Sequence, residues 1–377
     1  MQKKIRILHV AQAAGGVDKF IQSLLKYLSK DIFENIIVCS HSFEKQKYDD
    51  LVIAFEQVDM CRAINGLYDL KAIYLVRKLI KKYKPDIVYA HSSKAGAIAR
   101  ISNMGLHNIC IYNPHGWAFN MNCSKFQKMV YILIEKIAAL FCQKIICISQ
   151  AEKQSALNLR ICPEKKLQVI FNGIDIAEYK NYQHVLSKKS LNIPENAFVI
   201  GMVGRISCQK APDNFIKAAK IIKKHIPNAY FIIVGDGELS TFVYDYAKKY
   251  KFNDSLLITG WVNNPMNYIK IFDIAMLLSR WEGFGLVLPE YMVAAKPIIA
   301  SRIDAIPNII NNRINGLLVE VDNINEIYKA TMELYQDTKL CKTLVKNGLN
   351  DVYKYFDVKR TAKEHTDLFI NMISVKR

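Results

Sequence analysis

The chain has 377 residues, of which 51% are hydrophobic and 23% charged. One hydrophobic core rarely serves a chain of this length, so we expect two domains, and the composition excludes a disordered protein. The longest apolar stretch is interrupted by Glu135 and Lys136, which excludes a membrane-spanning helix.

The formal net charge of +18 suits anionic partners such as phosphorylated substrates or an acidic membrane surface. It is also typical of a lysine- and asparagine-rich proteome. No nucleic-acid partner is expected, because the sequence contains neither a binding module nor interleaved aromatic and basic residues. Nine cysteines without metal-ligand spacing are typical of a reducing compartment. We therefore expect a cytoplasmic protein, soluble or peripheral at the inner face of the membrane.

Strand and helix patterns alternate through the first half of the chain, which is typical of a parallel sheet with right-handed crossovers. The predicted strands are 5–11, 35–40, 85–92, 108–116 and 144–149, and the predicted helices are 17–29, 70–83 and 124–142.

The same alternation begins again after a polar stretch, with a strand inside 192–207 and further strands at 229–235, 255–262, 273–279 and 296–301. We therefore predict an α/β protein with two Rossmann-like parallel-sheet domains facing a central cleft. The predicted boundaries are 1–180 for the first domain, 181–197 for a linker and 198–355 for the second domain.

Unusual residues follow the predicted strands of the second half, where open parallel sheets bind ligands. Arg205 and Lys210 come after its first strand and could neutralise a diphosphate, although loop cations are more often simply solvated. Gly235 and Gly237 mark the next strand end. Neither G-x-G-x-x-G nor a P-loop is present, which weakens a dehydrogenase or NTPase interpretation.

The segment RWEGFGLVLPE, 280–290, carries Glu282 in a glycine-rich turn and Glu290 near a helix start. Carboxylates accept hydrogen bonds from neighbouring hydroxyls, so this pair suits a sugar or a ribose. A solvated loop acid and an exposed helical acid are the alternative.

In the first half, Gly15 and Gly16 precede a helix, where free backbone N–H groups attract phosphate. His115 follows a predicted strand and could touch a sugar hydroxyl, although a single histidine more often has a structural role.

In this order, the segments resemble glycosyltransferase family 4, the retaining nucleotide-sugar transferases of GT-B fold. The resemblance runs over essentially the whole chain. It is carried by GG (15–16), HG (115–116), GRIS with QK (204–210), VGDGE (234–238), ITGWV (258–262) and EGFGLVLPE (282–290).

The resemblance implies that Arg205 and Lys210 stabilise the leaving diphosphate, that His115 and Glu282 contact the donor sugar, and that Glu290 contacts the ribose. These first four are the expected catalytic residues. The residues expected to bind the donor are Gly15, Gly16, Gly204, Arg205, Lys210, Gly235, Gly237, Trp261, Val262, Glu282, Gly283, Phe284, Gly285, Leu286 and Glu290.

The resemblance further implies an acceptor-binding first domain, a nucleotide-sugar-binding second domain and a helix at 356–377 that returns to the first. The nucleotide sugar, by family frequency a UDP-sugar, is a co-substrate, and no cofactor or metal is expected. The implied chemistry is a front-face displacement, helped by domain closure. The expected acceptor is a saccharide, plausibly lipid-linked, in capsule, O-antigen or other surface-glycan synthesis.

The sequence departs from the family at several positions. Ala295 stands where many relatives have glycine, Asp304-Ala305 replaces a frequent Gly-Gly, and Asn308 replaces a frequent glutamate. Asp18 is the acidic residue expected after the glycine pair.

Three alternatives stay open. Segment 124–142, together with the lysines of 70–83 (Lys71, Lys78, Lys81 and Lys82), suits either a core helix with solvated charges or an anionic membrane surface. A nucleotide-sugar epimerase of the same fold would need further cleft histidines, of which only His115 is obvious. A non-catalytic partner subunit would be expected to lack one of the four charged site residues.

Overall fold

Two parallel β-sheets organise the computed structural model, which describes residues 3–12, 14–61, 66–121, 123–180 and 186–376. Its contacts divide the chain into two units. The first holds the described residues up to Gly173 and those from Val358 onward, and the second is Ile174–Asp357.

The first unit has a seven-stranded sheet in the order β3-β2-β1-β4-β5-β6-β7, with every pairing parallel. Its strands are β1 (Ile5–Ala11), β2 (Phe33–Cys39), β3 (Ala54–Gln57), β4 (Ile87–His91), β5 (Ile109–Asn113), β6 (Lys144–Cys147) and β7 (Leu167–Val169). Its helices are α1 (Gly16–Tyr27), α2 (Gly66–Tyr83), α3 (Ser93–Ser102), α4 (Lys125–Ala138), α5 (Gln150–Asn158) and, after the second unit, α13 (Val358–Lys376).

The second unit has a six-stranded sheet in the order β10-β9-β8-β11-β12-β13, again parallel throughout. Its strands are β8 (Phe198–Val203), β9 (Ala229–Val234), β10 (Leu256–Ile258), β11 (Ile274–Leu277), β12 (Ile298–Ser301) and β13 (Leu317–Val319). Its helices are α6 (Ile176–Lys180), α7 (Pro212–His225), α8 (Ser240–Lys249), α9 (Met266–Ile269), α10 (Val287–Val293), α11 (Ile324–Gln336) and α12 (Thr338–Tyr355).

The predicted α/β class with two parallel sheets is confirmed. The prediction omitted β3, β7 and β13, each of which lies at a sheet edge. Such strands are short and half-covered, so they lack the continuous apolar run that identifies a central parallel strand. The unit division falls before α6, earlier than the boundary predicted after residue 180. Residues 181–185 of the predicted linker lie outside the described residues.

Helices cover both faces of the first sheet. Alternate strand residues such as Ile7 and Tyr89 pack with α1 and α13. Their neighbours, such as Leu8 and Val88, pack with α2 and α3 on the opposite face. This two-residue period follows from the strand geometry, and it explains why the central strands are almost wholly apolar.

The turn after α10 has a backbone geometry that favours glycine. The N–H of Lys296 donates to the Tyr291 carbonyl over 3.0 Å, and the N–H of Ala295 donates to the Met292 carbonyl over 2.9 Å. This is the Schellman pattern of helix termination, and Ala295 takes its left-handed position with φ 57°.

Replacing Ala295 with glycine should raise the free energy of unfolding of the second unit by about 1 kcal/mol. The gain from removing the left-handed strain exceeds the added chain entropy of the unfolded state. Urea unfolding measures it, with Ala294→Gly as the control. Ala294 has an ordinary φ of −79°, so glycine there should destabilise. An unchanged or lower midpoint for Ala295→Gly would contradict this account.

Candidate functional site

A buried ion pair lies where the loops after β8 and β11 meet. Lys210 Nζ donates to Oε2 of Glu282, and Ser279 Oγ donates to the same oxygen over 3.1 Å. The pair is mostly enclosed, with side-chain exposures of 17% for Lys210 and 10% for Glu282. The structure therefore brings these two predicted residues into direct contact.

Arg205 lies in the same loop but has an exposed side chain. Its guanidinium has no hydrogen-bond or ion-pair partner within the described part of the chain. By contrast, the stem of Lys210 packs beside Gly204, where an added Cβ would meet the lysine Cγ at 3.4 Å. The loop thus presents one fixed ammonium and one free guanidinium, both suited to phosphate oxygens.

The loops after β8 and β9 approach each other at their backbones. A Cβ on Gly235 would lie 2.1 Å from the Gly204 carbonyl oxygen, and one on Gly237 would lie 2.4 Å from that of Ile206. These distances exclude any side chain, so both glycines are required by loop packing.

The next loop follows β10. Gly260 forms a bridge with Gly235, Trp261 is 80% exposed and Val262 is half-buried. No described residue covers the apolar surface of this indole, so the surface stays hydrated and is available to a ligand.

The turn from Gly283 to Leu286 leads into α10. Gly283 and Leu286 are half-buried, whereas Phe284 is buried against Phe356 with ring centroids 5.9 Å apart. Glu290 lies in α10 itself, where it is 5% exposed and accepts a 2.6 Å hydrogen bond from the Tyr179 hydroxyl. It is therefore not the exposed helical acid of the alternative interpretation. Tyr179 was not predicted, because it follows no sequence motif.

Arg280 links the loops beside the ion pair through hydrogen bonds. It donates to Asp213 and to Asp322, both over 2.8 Å, and to the Cys208 carbonyl over 3.0 Å. Burial opposes ionisation of Asp213, but the hydrogen bonds from Arg280 and Lys217 hold the pKa of this carboxyl below its usual value. Sequence reasoning missed this arginine, although it directly precedes the segment WEGFG.

Asp304, one of the departures from the family, accepts a 2.9 Å hydrogen bond from the backbone N–H of Glu282. Burial raises the pKa of Asp304, and the neighbouring Glu282 carboxylate adds to this rise. The residue that replaces the family glycine thus fixes the glutamate at the centre of the site.

In the first unit, the glycine pair stands in open space. A Cβ at Gly15 or Gly16 would meet no atom of the described residues within 4 Å. Packing therefore does not require glycine at position 16, the first residue of α1. Asp18 is turned inward instead, where it accepts hydrogen bonds from the Tyr48 hydroxyl (2.6 Å) and the Gln22 amide (2.8 Å).

His115 ends a chain of buried histidines. Its Nε2 lies 3.0 Å from Nδ1 of His91, whose Nε2 lies 3.1 Å from Nδ1 of His9. The far nitrogen of His9 lies 3.3 Å from Oδ1 of Asn35. His9 and His91 are fully buried, whereas His115 is half-buried. Of these three histidines, His115 alone is not fully enclosed.

A second branch reaches the backbone of His115. Its N–H donates to Oδ1 of Asn113 over 2.9 Å, and the Asn113 amide lies 3.4 Å from the Tyr89 hydroxyl. That hydroxyl contacts Nε2 of His365, whose Nδ1 lies 2.7 Å from the Thr361 carbonyl. His115 has φ 51°, and this branch holds that left-handed conformation in place.

The histidines are uncharged at neutral pH. Burial lowers the pKa of His9 and of His365 to about 4, and that of His115 to about 3. Burial, together with the neighbouring histidines, also lowers the pKa of His91. Because His9, His91 and His365 are fully enclosed, they offer no surface for the elimination chemistry of an epimerase.

A metal cluster and a large cavity are two further kinds of site that the described residues could provide. No group of three or more histidine, cysteine, aspartate or glutamate side chains among them is arranged to bind a metal. A cavity of about 1010 Å³ lies at the amino ends of β5 and β6, beside α13. It is remote from the carboxyl ends of the strands, where the predicted residues gather, so we do not assign the donor site to it.

The two parallel-sheet α/β domains have the architecture of the GT-B fold. The family description "Glycosyltransferase Family 4" matches residues 14–178, and "Glycosyl transferases group 1" matches residues 185–351. The chain belongs to glycosyltransferase family 4, and it is a glycosyltransferase.

Two relatives are similar over most of their length. The UDP-Gal:alpha-D-GlcNAc-diphosphoundecaprenol alpha-1,3-galactosyltransferase of Escherichia coli is 32% identical over 379 residues, covering 98% of both chains. The capsular polysaccharide biosynthesis glycosyltransferase CapM of Staphylococcus aureus is 26% identical, covering 94% of both.

Solved structures share the fold. The Anabaena HepE protein in complex with UDP and glucose has a TM-score of 0.83 at 19% identity, covering 97% of this chain and 99% of that one. A glycosyltransferase from Rickettsia africae has a TM-score of 0.82 at 23% identity, covering 98% and 99%.

Acidification should destabilise the first unit. Unfolding exposes His9, His91 and His365, which then take up protons below their ordinary pKa near 6.5. Proton uptake by the unfolded state therefore lowers the free energy of unfolding as pH falls from about 6.5 towards 4. We expect roughly 1–2 kcal/mol per histidine by pH 5.

Urea unfolding at pH 7.5, 6 and 5 measures this loss. Added salt at 0.5 M separates it from the net charge of +18, because salt screens surface repulsion but not the burial of the histidines. Removal of an exposed histidine by His225→Gln should leave the pH slope unchanged. A midpoint that stays constant from pH 7.5 to 5 would refute the neutral cluster.

Proposed function

We propose that the protein transfers a sugar from a UDP-sugar to a lipid-linked saccharide, with retention at the anomeric carbon, during synthesis of a surface glycan. The observation that carries this is the similarity, over 98% of both chains, to the E. coli galactosyltransferase, whose name specifies both a UDP-sugar and a diphosphoundecaprenol acceptor. The site geometry supplies groups for each part of the reaction.

The second unit binds the donor. The free Arg205 guanidinium and the Lys210 ammonium contact the diphosphate, Trp261 and Val262 border the base, and the loop from Gly283 to Leu286 supports the sugar. Glu282 accepts hydrogen bonds from sugar hydroxyls through the oxygen that Lys210 and Ser279 leave open. Glu290 accepts from the ribose beside Tyr179.

The transfer exchanges one bond for another on the same face of the sugar. The bond from the anomeric carbon to the diphosphate breaks while the acceptor hydroxyl oxygen bonds that carbon, and its proton passes to the leaving phosphate oxygen. Arg205 and Lys210 stabilise the charge that develops on this phosphate, a role that needs no resident metal. Gly15 and Gly16 leave room for a substrate, and His115 contacts a sugar hydroxyl.

An anionic membrane surface is the proposed location, and α4 is its main contact. Five apolar side chains recur at helical spacing and are exposed, so a core helix does not account for them. They are Phe126 (70%), Met129 (60%), Leu133 (57%), Ile137 (52%) and Leu140 (73%), the last one just beyond the helix. The opposite side of α4 carries Glu135, buried against Arg100 at 2.9 Å.

Helix α2 has the same character. Leu67, Leu70 and Tyr74 are exposed on one face, which continues into the exposed lysines 71, 78, 81 and 82. Lys82 pairs with Glu56, and the others remain for an anionic surface. Neither helix has an exposed acid, since Asp69 pairs with Lys94. Apolar side chains with lysines and without acids suit an acidic lipid headgroup layer.

A second cavity supports a lipid-linked acceptor. It measures about 470 Å³ at the carboxyl ends of the first three strands and is lined by Gln12, Ser40, Ser42 and Tyr68, among others. These groups suit saccharide hydroxyls. Tyr68 belongs to α2, so the cavity adjoins the apolar face proposed to meet the membrane. No helix of the described residues is long and apolar enough to span a membrane.

Arg205→Ala should weaken binding of UDP-galactose at least about tenfold, because it removes a charged hydrogen-bond donor to the diphosphate. Glu282→Gln should weaken it too, through loss of the anionic sugar acceptor. Isothermal titration with UDP-, GDP- and ADP-sugars measures both effects and identifies the carrier.

Arg313→Ala is the matched control for charge, because Arg313 forms only an exposed ion pair with Glu333 in the same unit. Indifference of donor binding to Arg205 and Glu282 would reject the donor site. Conversion of the nucleotide sugar without any acceptor would instead indicate the epimerase, and binding without turnover would indicate a partner subunit.

Membrane binding should fall at least about tenfold in the double variant Leu133→Ser, Ile137→Ser, since both side chains are exposed and their burial in lipid is lost. Flotation with vesicles containing phosphatidylglycerol measures this. Tyr244→Ser, at an exposed position of α8 in the second unit, is the control. Equal flotation of all three proteins, or equal binding to neutral phosphatidylcholine vesicles, would rule out the proposed surface.

A further inference from the structure

The buried histidine chain of the first unit contains hydrogen-bonded polar groups that core packing alone does not require. An apolar set of similar size would fill the same space without burying polar groups, and buried polar networks are stable only when every member is satisfied. Both branches of this network converge on one half-buried residue, His115. The hydrogen-bond directions in the two branches therefore determine the protonation pattern of that imidazole.

The backbone branch has a fixed direction because both its ends are peptide groups. The Thr361 carbonyl can only accept, so Nδ1 of His365 donates to it and Nε2 of His365 accepts from the Tyr89 hydroxyl. At the other end, the N–H of His115 can only donate, which places the oxygen of Asn113 towards it and the amide nitrogen towards Tyr89. Every donor in this branch has an acceptor.

The side-chain branch takes its direction from Asn35. Its Oδ1 faces His9, so Nε2 of His9 carries the proton and Nδ1 of His9 is an acceptor. His91 then donates from Nε2 and accepts at Nδ1, and His115 donates from Nε2 in turn. One amide oxygen thus determines the tautomer of three successive rings.

The consequence falls on the last nitrogen. Nδ1 of His115 carries a lone pair, and it has no hydrogen-bond partner within the described part of the chain. The ring is also fixed in orientation, because Phe20 lies edge-on to it with centroids 4.7 Å apart. The lowered pKa of the imidazole keeps this nitrogen unprotonated at neutral pH.

We propose that Asn35, His9 and His91 are positioning residues that hold His115 in its Nε2–H tautomer, so that Nδ1 accepts a hydrogen bond from a substrate sugar hydroxyl. This inference rests on the proposed function for the contact between His115 and sugar. It adds the direction of that hydrogen bond. The sugar hydroxyl donates and His115 accepts, so a sugar that lacks this hydroxyl should bind more weakly.

The tautomer is measured directly, without any substrate. Two-bond ¹H–¹⁵N correlation spectra of protein labelled at its eight histidines separate the two neutral tautomers from the charged ring, and loss of one signal in His115→Gln assigns that ring. We expect wild-type His115 in the Nε2–H form at pH 7. An Nδ1–H form or a charged ring would overturn the proposal, whatever the enzyme does with donors.

Two variants of nearly equal size test the source of the order. Asn35→Asp keeps an acceptor facing His9 and should leave the tautomer of His115 unchanged. Asn35→Leu removes the acceptor, and the signal of His115 should become a mixture of both forms. An identical tautomer in Asn35→Leu would overturn the role of Asn35. Should Asn35→Leu fail to fold, the wild-type spectrum still decides the tautomer.

Kinetics separate positioning from structural support. With UDP-galactose as donor, Asn35→Leu should raise KM on the order of tenfold while affinity for UDP alone stays unchanged, because only the sugar meets His115. Asn35→Asp should restore the KM. Equal losses for UDP and UDP-galactose would indicate structural damage and overturn the role. If no UDP-sugar is turned over with a lipid-linked acceptor, the proposed function fails, and the spectra still test the tautomer independently.

Discussion

A parallel sheet covered on both faces confines polar chemistry to its carboxyl edge, and both units of this protein follow that constraint. The central strands are largely apolar, so most of the charged and hydroxyl-bearing groups lie at their carboxyl ends or in the loops that follow them. In the second unit this brings Lys210, Ser279 and Glu282 together from two loops far apart in sequence. In the first unit the strand ends bring His91 and His115 together.

Those parts of the fold and site that depend on local pattern could be predicted from the sequence. The central strands of both sheets carry continuous apolar runs, and the site segments follow them in the family order. Edge strands such as β3 were missed because they are half-covered. Arg280, Tyr179 and Asn35 were missed for a different reason: each acts through a partner distant in sequence, and no local spacing announces such a contact. His9 and His91 lay in predicted strands, but only strand pairing brings them together.

Two kinds of glycine are distinguished by their surroundings. Gly235 and Gly237 are enclosed by backbone, which makes them necessary for the fold. A Cβ added at Gly16 would meet no atom of the described residues within 4 Å, so packing does not require glycine there. The departure at Asp304 is of a third kind, since its carboxylate takes over the positioning of Glu282. Residue identity in these loops therefore reflects packing at some positions and support of a neighbouring side chain at others.

The two sides of helix α4 differ in what they contribute to folding. Its inner side is anchored by a charged pair, Arg100 and Glu135, to which the Tyr112 hydroxyl also donates, over 2.8 Å. The exposed side chains on its outer side therefore contribute little to folding stability. Substitutions there can accumulate during evolution without unfolding the enzyme, so the outer residues of α4 are free to change while the fold beneath them stays the same.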